Sequence, residues 1–284
     1  MFSNYIRIAL RIFFRNRFQT LINIFGLAIG LAFSITIFLY AHKEFSYDRF
    51  HKNADRIYRI AVNGRIADNV FNHAVTPAPL AKTAAHEING IESALRVARF
   101  GAWLIRYKDI RFNEDNLIFA DSSFFSVFSF PLLKGNADSV LKNPNSIVIS
   151  QETALRYFGS EDPLGKLLRI ENDSTYYKVT GIMMDIPENS HMHFDMIGTL
   201  STFKKLLQDN RFISHFLYTY VLVKPGMTME ELKTGLDGIV SKYVMPDYAG
   251  FLKINDSQLS TTQAKYKYIP QPLREIHLRS DYTS

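Results

Sequence analysis

Twenty-three consecutive uncharged residues, Phe18 to Tyr40 (FQTLINIFGLAIGLAFSITIFLY), lie close to the N-terminus and constrain this chain more than any other feature. Coiled as an α-helix, the run is roughly 34 Å long, against about 30 Å for the hydrocarbon core of a bilayer. Gln19, Thr20 and Asn23 gather at its start, where they can reach headgroups. From Ile24 onward only Ser34 and Thr36 are polar, and both can bond back to carbonyls of their own helix. A cleaved signal segment has a shorter apolar stretch and ends in small residues. This run ends in the bulky Phe38, Leu39 and Tyr40. A helix of a soluble domain shows a polar face, and none is present here. The run predicts a retained transmembrane helix over 18–41.

The flanks predict its orientation. Arg7, Arg11, Arg15 and Arg17 precede it with no acid among them, whereas His42, Lys43, Glu44, Asp48 and Arg49 follow with mixed sign. The positive-inside rule places 1–17 in the cytoplasm and 42–284 outside. Residues 4–17 read as a helix lying in the interface, with Ile6, Leu10, Phe13 and Phe14 on one face and the arginines reaching phosphates. Gly26, Gly30 and Ser34 recur every four residues, a small-residue stripe that lets a second membrane helix approach closely. These three are the candidate helix-packing residues.

Composition removes several function classes. The formal net charge is +6, but four of the 33 basic residues fall in the first 17 positions and the rest nearly balance the 27 acids. No basic stripe remains to track phosphates, so nucleic-acid binding is not expected. The absence of cysteine removes disulfides, thiolate metal sites and a cysteine nucleophile.

Beyond the anchor, strands alternate with helices. Residues 56–62 alternate apolar and polar as a strand does. Thr76 is placed to cap a helix with Pro77 at its first position and Leu80, Ala84 and Ile88 on one face, and 93–100 returns as a strand. The middle is richer in strands: 104–112, 116–120, 146–149, 167–171 and 176–183. A short helix interrupts them, with Ser150 as cap, Ala154, Leu155 and Phe158 inward and Gly159 as stop. The last third repeats the first pattern. A strand at 217–223 precedes a capping box of Thr228 and Glu231, then Leu232, Leu236, Ile239, Val240 and Tyr243 on one face, then a strand at 265–269. The expectation is an α+β domain in which two strand–helix–strand units, 50–100 and 196–284, flank a β-rich insert at 101–195.

Motifs that would carry chemistry fail on spacing. GSEDPLGKL (159–167) mimics a phosphate loop but has five residues between its glycines and Leu167 after Lys166, so no hydroxyl is placed for magnesium. His191, His193 and Asp195 alternate in SHMHFD and would share a face on a strand. A turn after Pro187 and Asn189 that leaves them facing water is the plainer reading. No nucleophile elbow is present and no acid pair stands out. No catalytic, metal or cofactor site is assigned. Trp103 reads as a packing residue, and Phe124, Phe125, Phe128 and Phe130 as a hydrophobic corner of the insert.

Five segments carry a family resemblance. RNRFQTLINIFGLAIGLA (15–32) resembles the first membrane helix of bacterial ABC-transporter permeases of the MacB, FtsX and lipoprotein-releasing type. FADSSFFSVFSFPLLKGN (119–136), PNSIVISQETALRYFGSEDPLGK (144–166) and VTGIMMDIPENSHMHFD (179–195) resemble that family's periplasmic core domain, especially in its Bacteroidetes members. IPQPLREIHL (269–278) resembles the strand leading back to a second membrane helix. The resemblance implies porter-like units around a β-rich insert and no chemistry by the chain itself. It implies a bacterial inner-membrane location with the domain in the periplasm. It also implies a cytoplasmic ABC ATPase subunit, a second permease subunit or half, and a periplasmic partner. Three further membrane helices are expected after Ser284, so the chain reads as an N-terminal fragment of such a permease. Two other classes share the topology: a signal-anchored extracytoplasmic binding or sensor module, and a membrane-anchored enzyme. The short cytoplasmic segment disfavours a signalling output, and the missing catalytic constellation disfavours the enzyme.

Overall fold

The computed structural model describes residues 2–66, 69–170, 175–253, 265–279 and 281–282. It divides into two units, Met1–Ser46 and Tyr47–Ser284.

The first unit is two helices, α1 (Phe2–Arg15) and α2 (Arg17–Glu44), broken at Asn16, whose φ of −109° and ψ of 45° leave the helical region. α2 buries none of its residues and is long and apolar enough to cross a membrane. Ser34 Oγ and Thr36 Oγ1 donate to the carbonyls of Gly30 and Ala32, each at 2.8 Å, so these two hydroxyls are satisfied within the helix. In α1, Tyr5, Ile6, Ile8 and Ile12 are exposed apolar side chains. The expected face of Ile6, Leu10, Phe13 and Phe14 lies, Ile6 apart, outside the described side chains.

Among the described residues, the second unit is built on one 14-stranded sheet. Its first part contains β1 (Ile57–Ile66), β2 (Asn69–His73), β3 (Thr76–Pro77), α3 (Leu80–Glu87) and β4 (Ile91–Ala98). Next come β5 (Trp103–Tyr107), β6 (Ile110–Glu114), β7 (Leu117–Ala120), α4 (Phe124–Val127), β8 (Leu132–Lys134), β9 (Ser146–Ser150) and α5 (Gln151–Phe158). They are followed by β10 (Leu167–Ile170), β11 (Thr175–Met183), β12 (Met196–Thr199) and α6 (Lys204–Leu207). The last part holds β13 (His215–Val223), α7 (Met229–Ile239), α8 (Met245–Leu252), β14 (Lys265–Pro272) and α9 (Ile276–Arg279).

The order β14-β1-β13-β4 interleaves the two ends of the chain in an antiparallel sheet, with α3 and α7 packed on one face. This is the split arrangement of two strand–helix–strand units. Period-two alternation divides each strand between two cores. On β13, Val221 and Val223 face the helices, while Tyr220 and Leu222 face the opposite way. The opposite face is covered by the phenylalanine corner, where Phe124, Phe128 and Phe130 meet Phe194 and Tyr220. The sheet continues from β4 through Val97↔Ala120 and Ala98↔Phe119 into β7-β12-β9-β11-β10-β5-β6, which carries a third core under α5. The α+β class and the flanked β-rich insert are as the sequence predicts.

Local caps follow the sequence at two helices. Ser150 Oγ accepts from Thr153 N at 3.1 Å, Gly159 ends α5 with φ +57°, and Thr228 and Glu231 close a full capping box on α7. Three expectations are corrected. Thr76 caps no helix: Thr76–Pro77 form β3, with Thr76 Oγ1 donating to the Leu217 carbonyl at 3.0 Å. Pro79 occupies the cap position of α3 and supplies no side-chain bond. Leu155 points outward, because Thr153, Ala154, Tyr157 and Phe158 form the buried stripe of α5. Residues 104–112 are two strands, reversed by a turn at Lys108, whose φ is +54°. No glycine or proline marked that turn. Glu171 of the expected 167–171 strand lies outside the described residues.

Candidate functional site

The resemblance directs attention to two places: the membrane helix, and the root of the second unit where the chain enters it. In α2, Gly26 and Gly30 have, among the described residues and apart from the backbone of the helix itself, no atom within 4 Å of where a Cβ would stand, and Ser34 is likewise exposed. The stripe is open for a neighbour and satisfied in itself.

At the root, a leading segment (47–56) is fastened to several distant elements. Tyr47 stacks on His277 with ring centroids 3.4 Å apart and planes 3° from parallel. Asp55 pairs with Arg274. Arg56 donates to Glu92 Oε2 at 2.6 Å, to the Val223 carbonyl at 2.8 Å and to Asn53 Oδ1 at 2.7 Å. Lys52 N donates to Ser129 Oγ at 3.0 Å, and Phe50 packs on Phe130. Each tie is modest when exposed, but together they join the leading segment to the returning segment (273–279), to both central strands and to the phenylalanine corner.

Inside the root is a buried polar cluster. Asp48 takes a left-handed backbone with φ +57°, a conformation aspartate tolerates better than most residues. Its N–H donates to the Asn189 carbonyl at 2.9 Å, and its Oδ1 accepts from His191 N at 3.2 Å. His191 Nδ1 lies 2.9 Å from the same oxygen, and His191 Nε2 is 2.9 Å from the Tyr220 hydroxyl. His51 Nε2 is 3.8 Å from Asp48 Oδ1, while its Nδ1 accepts from Ser129 N at 3.1 Å. Asp48 Oδ2 is buried and has no hydrogen-bond partner among the described residues.

Burial pushes the His51 pKa down from 6.5 to about 4, outweighing the upward pull of Asp48; His191 adds a smaller downward push. The geometry agrees, since protonating Nδ1 would set it against the Ser129 N–H. A base whose folded pKa is depressed leaves the unfolded chain binding more protons between the two values. Stability is therefore complete above about pH 6.5 and falls as pH drops towards 4, by up to ~3 kcal/mol from His51. His215, also lowered to about 4 by burial, acts in the same window. Urea unfolding at pH 7.5 and 4.5 is expected to show that loss, with His51→Gln reducing it. A midpoint unchanged over this range would contradict a neutral buried His51.

The other residues singled out in the sequence do not converge. His191 is nearly buried at 5% side-chain exposure, whereas His193 is exposed. Asp195 Oδ2 accepts from Asn116 Nδ2 at 3.1 Å. No strand joins the three: Ser190 N turns back to the Pro187 carbonyl at 3.1 Å. The expected turn is present, but His191 does not face water, because Asp48 holds it inside. Among the described residues no group of three His, Cys, Asp or Glu is placed to hold a metal ion. Lys166 of the loop that mimics a phosphate site pairs with Glu161, and Trp103 packs edge-on against Phe119. Sequence reasoning missed Asp48 and His51, which lie 143 and 140 positions before His191 and carry no local motif.

The family model of the MacB-like periplasmic core domain matches residues 20–239. Among solved structures, the chain is similar to a domain assigned to a permease protein from Porphyromonas gingivalis, with a TM-score of 0.65 and 22% identity, over 79% of this chain and 92% of that one. It is also similar to the periplasmic region of MacB from Actinobacillus actinomycetemcomitans, with a TM-score of 0.51 and 16% identity, over 66% of this chain and 84% of that one. No curated protein matches the chain. At these identities the two structures speak for the fold, while the match over most of the length speaks for descent: the chain belongs to the MacB-like periplasmic core domain family of ABC-type transporter permeases.

Proposed function

We propose that the chain is the N-terminal part of a permease subunit that couples ATP hydrolysis by a separate cytoplasmic subunit to export or to work in the periplasm. The observation that carries this reading is a family match that runs from within the candidate membrane helix through α7. In it, residues 1–17 lie at the cytoplasmic face, 18–41 cross the inner membrane, and the domain from 42 onward is periplasmic, with the insert extending through Thr199, which hydrogen-bonds among the insert strands. The chain does no chemistry of its own. Motion in the membrane helices reaches the domain through the root, where ties to both central strands and to the returning segment make the leading segment stiff. A second permease subunit or half packs on the Gly26/Gly30/Ser34 stripe.

These 284 residues hold no cysteine, so a single introduced cysteine is the only thiol in this part of the subunit. Single cysteines at Arg7, Glu230 and Lys52 would be labelled with an impermeant maleimide in right-side-out vesicles holding the whole complex. Glu230→Cys and Lys52→Cys are expected to react and Arg7→Cys to stay protected. Loading the vesicles with ATP is expected to change the labelling rate at Lys52→Cys relative to a non-hydrolysable analogue. Reaction at Arg7→Cys alone would reverse the topology and defeat the reading.

A further inference from the structure

The bend between the two helices of the first unit encloses a groove of about 400 Å³. It is lined by Ile12 of α1, by Asn16 at the break and by one face of α2 from Gln19 to Leu27. The lining changes character along α2. Gln19, Thr20 and Asn23 come first, and Ile24 and Leu27 follow. Gln19 Nε2 donates to Asn23 Oδ1 at 3.3 Å, so the two amides meet across one turn. The polar part spans four to five residues, roughly 6 Å of helix, and the interfacial layer on each side of a bilayer is about 5–7 Å thick. The groove therefore passes from polar to apolar over the distance at which a phospholipid passes from headgroup to acyl chain.

The charge around the groove has one sign. Arg7, Arg11 and Arg15 recur every four residues on one side of α1, and Arg15 is a surface neighbour of Ile12, three positions before it. Arg17 stands seven positions before Ile24 and so on the same side of α2. Arg15 and Arg17 thus flank Asn16 at the bend, and all four arginines are exposed. Glu44 is the only carboxylate in the whole of Met1–Ser46. It lies at the far end of α2, about 40 Å of helix from Arg17, well beyond a Debye length. Nothing in this unit neutralises the arginines, while guanidinium forks match phosphate oxygens. Exposed Tyr5, Ile6, Ile8 and Ile12 supply the apolar side chains with which α1 enters a lipid surface.

We infer that this groove holds one anionic phospholipid, its phosphate at Arg15 and Arg17, its glycerol region against Gln19, Thr20 and Asn23, and the start of an acyl chain on Ile24 and Leu27. The volume suits a headgroup with the first carbons of its chains rather than a whole lipid. A bound lipid of this kind would fix the angle at which α1 leaves the membrane helix. The inference rests on the reading of α2 as a membrane-crossing helix, and neither on coupling to ATP hydrolysis nor on which leaflet the bend occupies.

The test is native mass spectrometry of the full chain released from detergent micelles that contain phosphatidylglycerol and phosphatidylcholine in equal amounts. One phosphatidylglycerol per chain is expected to be retained, preferred at least about tenfold over phosphatidylcholine. Arg15→Gln combined with Arg17→Gln is expected to lower that preference about tenfold, since each arginine near an anionic surface contributes about fivefold. Gln19→Leu combined with Asn23→Leu keeps every arginine but removes the polar collar, and is expected to weaken retention of phosphatidylglycerol about tenfold or more. Leucine favours helix, so α2 still forms in that variant. Lys233→Gln, on the outer face of α7, is expected to change nothing. Micelles offer lipid from every side, so a reversed topology would leave these results as they are and would show only in the labelling at Arg7→Cys. Equal retention of the two lipids would overturn the inference. So would full preference in the variant carrying Gln19→Leu and Asn23→Leu, which would mean diffuse attraction by the arginines, and so would a lipid-free dimer, which would give the groove to a second copy of the chain.

Discussion

Phe124→Ala is expected to lower the stability of the second unit by about 3–5 kcal/mol, the range for removing a fully buried aromatic ring. Phe124 is 0% exposed and sits at the centre of the corner, with ring centroids of Phe125, Phe128, Phe130 and Phe194 all 5.1 to 5.7 Å away. Four rigid rings cannot collapse into the space it leaves, so the cavity contribution stays near its upper end. The corner also covers the open face of the central sheet and holds Ser129 and Phe130 against the leading segment. The loss should therefore appear at the root as well as in the insert. Urea unfolding followed by tryptophan fluorescence checks the magnitude, since Trp103 is the only tryptophan and packs in a different core. A loss below about 1 kcal/mol would mean that the corner repacks freely.

On the proposed packing of a second membrane helix against the stripe, Gly26→Leu combined with Gly30→Leu is expected to reduce that association about tenfold or more while leaving insertion intact. Leucine is at least as apolar as glycine and favours helix, so α2 itself should still form and insert. Among the described residues, nothing beyond the backbone of α2 itself lies within 4 Å of either new Cβ, so a loss of association is read as intermolecular. Close backbone approach is what small residues supply in lipid, where no hydrophobic drive separates helix from solvent. The check is recovery of the partner subunit from membranes in mild detergent, with Leu27→Ala and Leu31→Ala as controls off the stripe. Equal recovery with the double substitution would place the interface elsewhere on α2.

Much of the architecture could be read from residues alone, for physical reasons. The membrane helix is legible because lipid imposes one length and one composition on anything that crosses it. β13 and α7 are legible because alternation and a capping box are local signals, and Val221, Leu222, Thr228 and Glu231 are all neighbours in sequence. The failures occur where distant contacts decide. Thr76 has the chemistry of a cap, but β13 recruits it as a strand through Leu217 and Thr219, more than 140 residues away. Leu155 fits an apolar stripe by type, yet the rotation of α5 is set by Tyr157, whose hydroxyl lies 2.7 Å from Glu114 Oε1. The root cluster is the extreme case. His191 attracted notice only through its neighbours His193 and Asp195, whereas the residues that define its role, Asp48 and Tyr220, come from other ends of the fold.

The most direct test of the coupling role is purification of the tagged protein, expressed from its own locus, out of native membranes in mild detergent, followed by identification and assay of what comes with it. The expected result is a stoichiometric subunit carrying a phosphate-binding loop and hydrolysing ATP, lost when the cytoplasmic side of the complex is stripped. Membrane complexes recovered intact without any ATP-hydrolysing subunit would contradict the permease role and favour an anchored extracytoplasmic binding module.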